Sequence, residues 1–186
     1  MARISKLFAA QKDKILRRGL VSRRITKDYS KNVYVLPVPK IKVSAVYTDN
    51  LSPAHVGCLI NAIDFHVPNG TRVFAAADGV VVGTRDRFSK RGSTLAYWNR
   101  GNYIDIKHRN GEYTWYEHLK HRGIIVKKGD RVKKGQLIGY SGDTGFSEHY
   151  HLHFQVNRYF GTKPTDYVTL RARFSNFRNV YDAGGK

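Results

Sequence analysis

Short apolar segments that end at tight-turn signals dominate the centre of this chain. Residues 62–85 read "AIDFHVPNGTRVFAAADGVVVGTR", in which a Pro-Asn-Gly turn and an Asp-Gly turn separate three segments rich in Val, Ile and Phe. Residues 102–119 read "NYIDIKHRNGEYTWYEHL", where an Asn-Gly turn joins two more such segments. β-branched and aromatic residues favour strands, and Asn-Gly or Asp-Gly between them is typical of hairpins. The sequence therefore predicts a mostly β fold, an antiparallel sheet or sandwich connected by hairpins.

The two ends of the chain differ from this centre. Residues 1–32 are strongly basic, and their apolar side chains fall near helical spacing, which indicates a short amphipathic helix. Membrane-surface anchors and organelle-targeting peptides share these features, so both interpretations stay open. The prolines of residues 36–40 favour an extended linker. We predict a basic N-terminal extension and linker at 1–40, a central domain at 41–165, and a basic-aromatic tail at 166–186 that could add a final strand.

The amino-acid composition indicates a class of binding partner, the polyanions, but does not identify a particular one. The 186 residues include 33 Lys and Arg against 14 Asp and Glu, a formal net charge of +19. Such a surface attracts polyanions, among them nucleic acids, anionic lipids and acidic cell-wall polymers. Cys58 is the only cysteine, so an intramolecular disulfide is excluded. We expect no transmembrane helix, which needs ~20 apolar residues, and the N-terminus lacks the apolar core of a secretory signal.

Three histidines alternate with apolar residues late in the predicted central domain. Residues 149–156 read "HYHLHFQV", with the histidines at His149, His151 and His153. In an extended strand these three share one face with Gln155, while the side chains between them face a core. Imidazole is the commonest protein ligand for zinc. This face is therefore either part of a metal site or a solvated polar surface.

Two other segments place polar residues where a metal site could use them. Asp64 lies in an apolar strand, and burying its carboxylate is costly unless it is paired or binds a metal. His118 lies on another predicted strand, on the same face as Thr114 and Tyr116. A catalytic zinc keeps three protein ligands and one exchangeable water, which an Asp and several His from separate strands could provide. A buried Asp that caps a turn, beside histidines hydrogen-bonded on the sheet surface, is the alternative.

Three segments taken together resemble the lysostaphin/LytM-type zinc endopeptidases, most of which cleave peptide cross-links in bacterial peptidoglycan. They span residues 62–81, 101–119 and 126–156, in the order and spacing of the family, and the last ends in the His-Leu-His-Phe motif. Biotinyl and lipoyl domains share the "VKKGDRVKKGQ" piece, but no modifiable lysine at a hairpin tip is evident here. The resemblance implies the fold of that family, one zinc ion per chain, a peptidoglycan or other peptide substrate, and a cell-envelope or extracellular location.

Transferred to the matching positions, the resemblance implies that Asp64 and His153 bind zinc. It also implies that His118 and His151 are catalytic histidines. Zinc lowers the pKa of a bound water towards neutrality, and imidazoles with an ordinary pKa of ~6.5 can take up or pass on a proton during amide hydrolysis. The sequence leaves open which of the two histidines acts as the base.

The chain departs from the family where the first metal ligand is expected. Most members place a His four residues before the Asp, and this position holds Ile60, which cannot bind zinc. We predict that His55, nine residues before Asp64, takes its place, as in a subset of the family. The alternatives are an incomplete site or one of three nearby donors, namely Cys58, Asn61 and His66.

The sequence thus predicts a zinc metalloendopeptidase that acts on peptidoglycan cross-links. Its positive charge would concentrate it on anionic envelope polymers. Because of Ile60, a binding or scaffold module that has lost hydrolysis is the alternative. Charge and the basic-aromatic tail are the only features that favour nucleic-acid binding, and no recognition motif accompanies them. Substrate choice is expected to depend on loops such as residues 84–100. The scissile bond and the oligomeric state stay open.

Overall fold

A computed structural model describes residues 2–48, 52–163, 165–177 and 181, and side chains from residue 10 onwards. Within these residues the chain forms the helix α1 (Ala2–Arg17) and fourteen strands. The strands are β1 (Tyr29–Tyr34), β2 (Ala45–Tyr47), β3 (Ile63–His66), β4 (Arg72–Phe74), β5 (Gly79–Arg85), β6 (Arg91–Gly92), β7 (Tyr103–Lys107), β8 (Glu112–Glu117), β9 (Leu119–Ile124), β10 (Arg131–Val132), β11 (Leu137–Ser141), β12 (Gly145–Phe146), β13 (Leu152–Tyr159) and β14 (Tyr167–Phe174). The prediction of a mostly β fold is confirmed, and the basic extension contains a helix.

One large sheet organises the described part of the chain. Its strands run in the order β1-β14-β13-β8-β7-β5-β10, while β3 pairs with β13 and with β2. These pairs are antiparallel except for β1 with β14. A smaller sheet has the order β4-β11-β9, and β6 pairs with β12. The predicted turn signals separate β3 from β4, β4 from β5 and β7 from β8. Gly70 in the first and Asn110 and Gly111 in the last have positive φ, the backbone that a tight reversal needs, whereas Gly79 of the Asp-Gly signal is the first residue of β5.

The large sheet and the three-stranded sheet share one apolar core. Ile104, Tyr116 and Phe154 supply it from β7, β8 and β13, and Val73 and Ile138 supply it from β4 and β11. All five are fully buried. Side chains alternate along a strand, so the neighbours of these residues in β7, β8 and β13, such as Asp105, Glu117 and His153, lie on the opposite face of the large sheet. The candidate site lies on that opposite face.

The basic N-terminal region contributes β1 to the large sheet and packs onto the rest of the structure at two further places. Ile15 of α1 is fully buried in a second apolar cluster with Val56 and Leu59. Leu36 and Val38, from the Pro-containing segment, are buried in the main core. The predicted domain boundaries stay a prediction, while β14 supplies the strand expected near the C-terminus. No helix among the described residues is both long enough and apolar enough to cross a bilayer.

Candidate metal centre

The three residues predicted to bind zinc converge at one end of the large sheet. Asp64 of β3 lies opposite His153 of β13 in the strand register, and Asp64 Oδ1 is 2.9 Å from His153 Nδ1. His55 reaches both through its Nε2, at 3.1 Å from Asp64 Oδ1 and 3.3 Å from His153 Nδ1. All three are buried, with 1%, 6% and 6% of the surface of His55, Asp64 and His153 exposed. The geometry groups these side chains, and their role as ligands stays a prediction.

The donor set fits a zinc ion. In a tetrahedral site with metal–ligand bonds of about 2.0–2.1 Å, neighbouring ligand atoms lie roughly 3.3 Å apart. The three donor separations here run from 2.9 to 3.3 Å. Two imidazole nitrogens and a carboxylate oxygen are also a donor combination that zinc accepts readily.

A glycine turn accounts for the approach of His55 across nine residues of chain. Gly57 has a φ of +54°, and a Cβ at this position would collide with the carbonyl oxygen of Ser22. Glycine alone therefore adopts this backbone without strain and steric conflict. The short 3₁₀ helix Gly57–Leu59 begins at this residue and leads the chain into β3. His55 therefore lies beside Asp64, although nine positions separate them in the sequence.

The other possible donors for the third position do not join this group. The side-chain amide of Asn61 donates to the carbonyl oxygens of Thr26 and Thr169 at 2.8 and 2.7 Å. Cys58 is buried in the cluster beside α1. His66 stacks on the ring of His151 with centroids 5.6 Å apart. Among the described residues, the metal-compatible group consists of His55, Asp64 and His153 alone.

A hydrogen-bonded chain along β13 orients His153. Its Nε2 donates to Oε1 of Gln155 at 2.9 Å, and the Gln155 amide donates in turn to Oδ1 of Asn157 at 2.8 Å. Nδ1 is therefore the ring nitrogen that faces Asp64, and it is the nitrogen that could bind a metal after losing its proton. His55 differs, because its Nδ1 is buried without a hydrogen bond in the part of the chain described here. We did not predict Gln155 as a site residue, although its position two residues after His153 already placed it on the same face.

His118 and His151 lie beside this group in defined orientations. Nδ1 of His118 donates to the Thr144 carbonyl at 2.7 Å, and Nδ1 of His151 donates to the His149 carbonyl at 2.8 Å. Each ring therefore has an unprotonated Nε2. Nε2 of His151 is 3.8 Å from Asp64 Oδ1. The ring centroids of His118 and His151 are 4.5 Å apart.

Burial determines the charge on these groups. It lowers the pKa of His118 well below its usual range, with His151 and His153 acting in the same direction. It also lowers the pKa of His151, although Asp64 opposes the shift. Burial favours the neutral form of Asp64, but His55 and His151 hold the pKa of this carboxyl well below its usual range. At neutral pH the site thus combines an ionised carboxylate with two neutral imidazoles that can accept a proton.

Two predictions about strand faces are wrong. His118 does not share the face of Thr114 and Tyr116, because β8 ends at Glu117 and His118 has a φ of +62°. This left-handed backbone breaks the alternation and directs the imidazole to the site. His149 is not part of a strand either, since β13 begins at Leu152 and residues 148–150 form an exposed bend.

A groove continues from the site across the large sheet. The strand register aligns Asp64, His153 and Glu117 with Tyr103 and Arg85 in one row. The groove has a volume of about 310 Å³, and His118 and His153 line one part of it. Its aromatic lining residues are Trp98, Tyr103, Trp115, Phe146, Tyr159 and Tyr167.

A second cavity reaches the same histidines. It has a volume of about 130 Å³ and is lined by Asp64, His118, His151 and His153, with Gln11 of α1 at its wall. His118 and His153 border both cavities. The candidate metal centre therefore lies where the two cavities meet.

Comparison with family models identifies the class to which this chain belongs, a family of peptidases. Residues 59–167 match the model of Peptidase family M23, and the chain belongs to that family. The predicted relationship to the lysostaphin/LytM-type enzymes is thereby confirmed. His55 lies before the matched range, in agreement with its departure from the usual ligand position.

Relatives and a solved structure support the assignment. The chain is 43% identical over 96 residues to the peptidoglycan DD-endopeptidase ShyA of Vibrio cholerae, a match to 52% of this chain and 20% of ShyA. It is 43% identical over 94 residues to the glycyl-glycine endopeptidase ALE-1 of Staphylococcus capitis, which covers 50% of this chain and 23% of ALE-1. The crystal structure of a zinc-containing peptidase from Vibrio cholerae superposes with a TM-score of 0.51 and 32% identity, covering 67% of this chain and 36% of that one. The chain thus spans less than a quarter of the length of these two curated relatives.

Proposed function

We propose that this chain is a zinc-dependent endopeptidase that hydrolyses peptide bonds in peptidoglycan cross-links. The observation that carries the proposal is the convergence of one carboxylate oxygen and two imidazole nitrogens within 3.3 Å. Cavities on both sides of this centre suit a bond within a chain better than one at its end. The names of ShyA and ALE-1 support peptidoglycan as the substrate.

The residues of the site have separate roles in the proposed hydrolysis. His55, Asp64 and His153 would hold the zinc ion, which supplies an acidic water and polarises the scissile carbonyl. His118 and His151 are neutral and accept a proton at Nε2, because backbone carbonyls occupy the N–H on the opposite side of each ring. Asp64 then stabilises the positive charge on His151, whose Nε2 is 3.8 Å from its carboxylate. Either imidazolium can return the proton to the leaving amine.

A cell-envelope location accompanies this proposal, since that is where such a substrate occurs. The net charge of +19 would concentrate the protein on anionic envelope polymers, an effect that salt weakens. The scaffold alternative rested on Ile60, and the position of His55 supports a complete ligand set instead.

Metal analysis tests the proposal. Protein purified without added zinc is expected to contain about one zinc per chain by mass spectrometry, since the three buried donors form a single site. Removing the metal with a chelator should stop the hydrolysis of purified sacculi, and one equivalent of zinc should restore it. Undiminished hydrolysis by metal-free protein would contradict the mechanism, and a folded protein without metal or activity would support the scaffold alternative.

Replacing Gln155 tests the support of His153. Gln155→Leu removes the acceptor of the His153 Nε2–H, so the ring loses its fixed orientation and tautomer. We expect zinc affinity to fall about 10- to 100-fold, as is usual for such supporting residues, in competition with a chromophoric chelator. Gln136→Leu, in an exposed turn away from the site, is the matched control and should keep the affinity of the unaltered protein. Equal affinities for both variants would show that Gln155 does not orient the ligand.

A further inference from the structure

We propose that Arg85 forms a carboxylate-binding subsite in the groove, which recognises a free carboxylate on the peptide substrate. The inference rests on the proposed endopeptidase function and adds a feature of the substrate to it. Arg85 is the last residue of β5 and the only Lys or Arg among the described residues that line the groove.

The guanidinium is held in one orientation. Its Nε donates to the carbonyl oxygen of Gly101 at 2.7 Å. Its central carbon lies 4.8 Å from the centroid of the Tyr103 ring and 5.3 Å from that of Phe88. The side chain is only 25% exposed. Anchoring and partial burial mean that a ligand would not have to immobilise this side chain, which lowers the entropic cost of binding.

One edge of the guanidinium remains available. Within the described chain, Nη1 and Nη2 make no hydrogen bond, and Nη2 forms a long salt bridge with Oε1 of Glu117 at 3.9 Å. That distance is too long for a hydrogen bond. The other oxygen of Glu117 accepts from Trp115 Nε1 at 3.0 Å. The two terminal nitrogens of an Arg match the two oxygens of a carboxylate, so this edge fits a bidentate contact.

The strand register sets the distance between this subsite and the reaction centre. Arg85, Tyr103, Glu117 and His153 are successive partners on neighbouring strands. Three strand spacings correspond to about 14 Å between the backbones of the first and the last. An extended peptide advances about 3.3 Å per residue, so the carboxylate lies within about four residues of the scissile bond. A terminal carboxylate and a side-chain carboxylate both satisfy this limit.

Matched substrates test the subsite. Soluble cross-linked peptides are compared with copies in which either the terminal carboxylate or the side-chain carboxylate is replaced by a primary amide. We expect kcat/KM to fall about 10- to 100-fold for the copy that lacks the recognised carboxylate, as for other hydrogen bonds to charged groups. In Arg85→Met, the kcat/KM values of the carboxylate substrate and its amide copy should be nearly equal. Arg87→Met, which changes an exposed Arg two residues beyond the end of β5 that does not line the groove, should keep this difference between the substrates.

Binding separates this inference from the proposed function. Trp98 and Trp115, the two tryptophans of the chain, line the groove and report ligand binding by fluorescence. A peptide whose scissile amide is replaced by a methylene-amine should bind tighter with its carboxylate than without it, and Arg85→Met should remove the difference. Equal binding of both forms, or a preference that survives in Arg85→Met, overturns the subsite. A protein that shows the preference but hydrolyses nothing retains the subsite and overturns the endopeptidase proposal.

Discussion

Replacing His153 with alanine is expected to release the bound metal and to reduce hydrolysis of sacculi by at least about 10³-fold. The substitution removes one of three converging donors and leaves only His55 and Asp64 of the proposed ligand set. Loss of a metal that activates water and polarises a carbonyl costs several kcal/mol of transition-state stabilisation, and each 1.4 kcal/mol is about tenfold in rate. Zinc content by mass spectrometry and release of soluble fragments from sacculi measure the two effects.

His121→Ala is the matched control for this experiment. His121 lies on β9 with an exposed side chain, so its loss changes the histidine count without touching the site. This control should retain both zinc and hydrolysis. Circular dichroism of both variants would show whether the β fold is intact. Hydrolysis that persists in folded His153→Ala protein would exclude the proposed ligand set.

Replacing Asp105 with asparagine is expected to stabilise the protein at pH 8 and not at pH 4. Asp105 lies on β7 with 9% of its surface exposed, and its Oδ1 is buried without a hydrogen bond among the described residues. Burial raises the pKa of this carboxyl from 3.8 to about 7. The folded state thus binds the proton more tightly than the unfolded state. This contribution to stability is complete below the unfolded pKa and is lost as the pH rises towards 7.

Above pH 7 the shift corresponds to a destabilisation of about 4 kcal/mol at most. The amide of the asparagine variant stays neutral at every pH, so Asp105→Asn should raise the free energy of unfolding in urea by about 2–4 kcal/mol at pH 8. Asp78→Asn is the matched control. Asp78 has a 64% exposed side chain, and the backbone N–H of Lys134 lowers its pKa, so its replacement should bring no gain. A gain for Asp105→Asn that is equal at pH 4 and pH 8 would contradict the assignment.

The features that the sequence predicted correctly are local. Turn signals and strand-forming residues depend on neighbours in the chain, so the mostly β fold and the hairpin of β7 and β8 could be recognised. The alternation in residues 149–156 likewise identified the shared face of His153 and Gln155. It failed at His118 and His149, because a single left-handed residue or a bend ends the alternation without a clear sequence signal.

The parts of the site that could not be predicted depend on pairing between distant strands. Arg85 and Glu117 are 32 residues apart in sequence, and only the register of β5, β7 and β8 places them in one row with His153. The open edge of Arg85 depends further on the position of the Gly101 carbonyl. No residue pattern within either segment contains this information.

The sequence by itself determined the β architecture, the membership of a peptidase family and the chemical types available for a metal centre, because residue identity and short-range order suffice for these. Only the tertiary structure decided that His55, rather than Cys58, Asn61 or His66, lies beside Asp64 and His153. The reason is that a ligand set is a matter of distances of about 3 Å between atoms from separate segments. Such distances depend on the turn at Gly57 and on the pairing of β3 with β13.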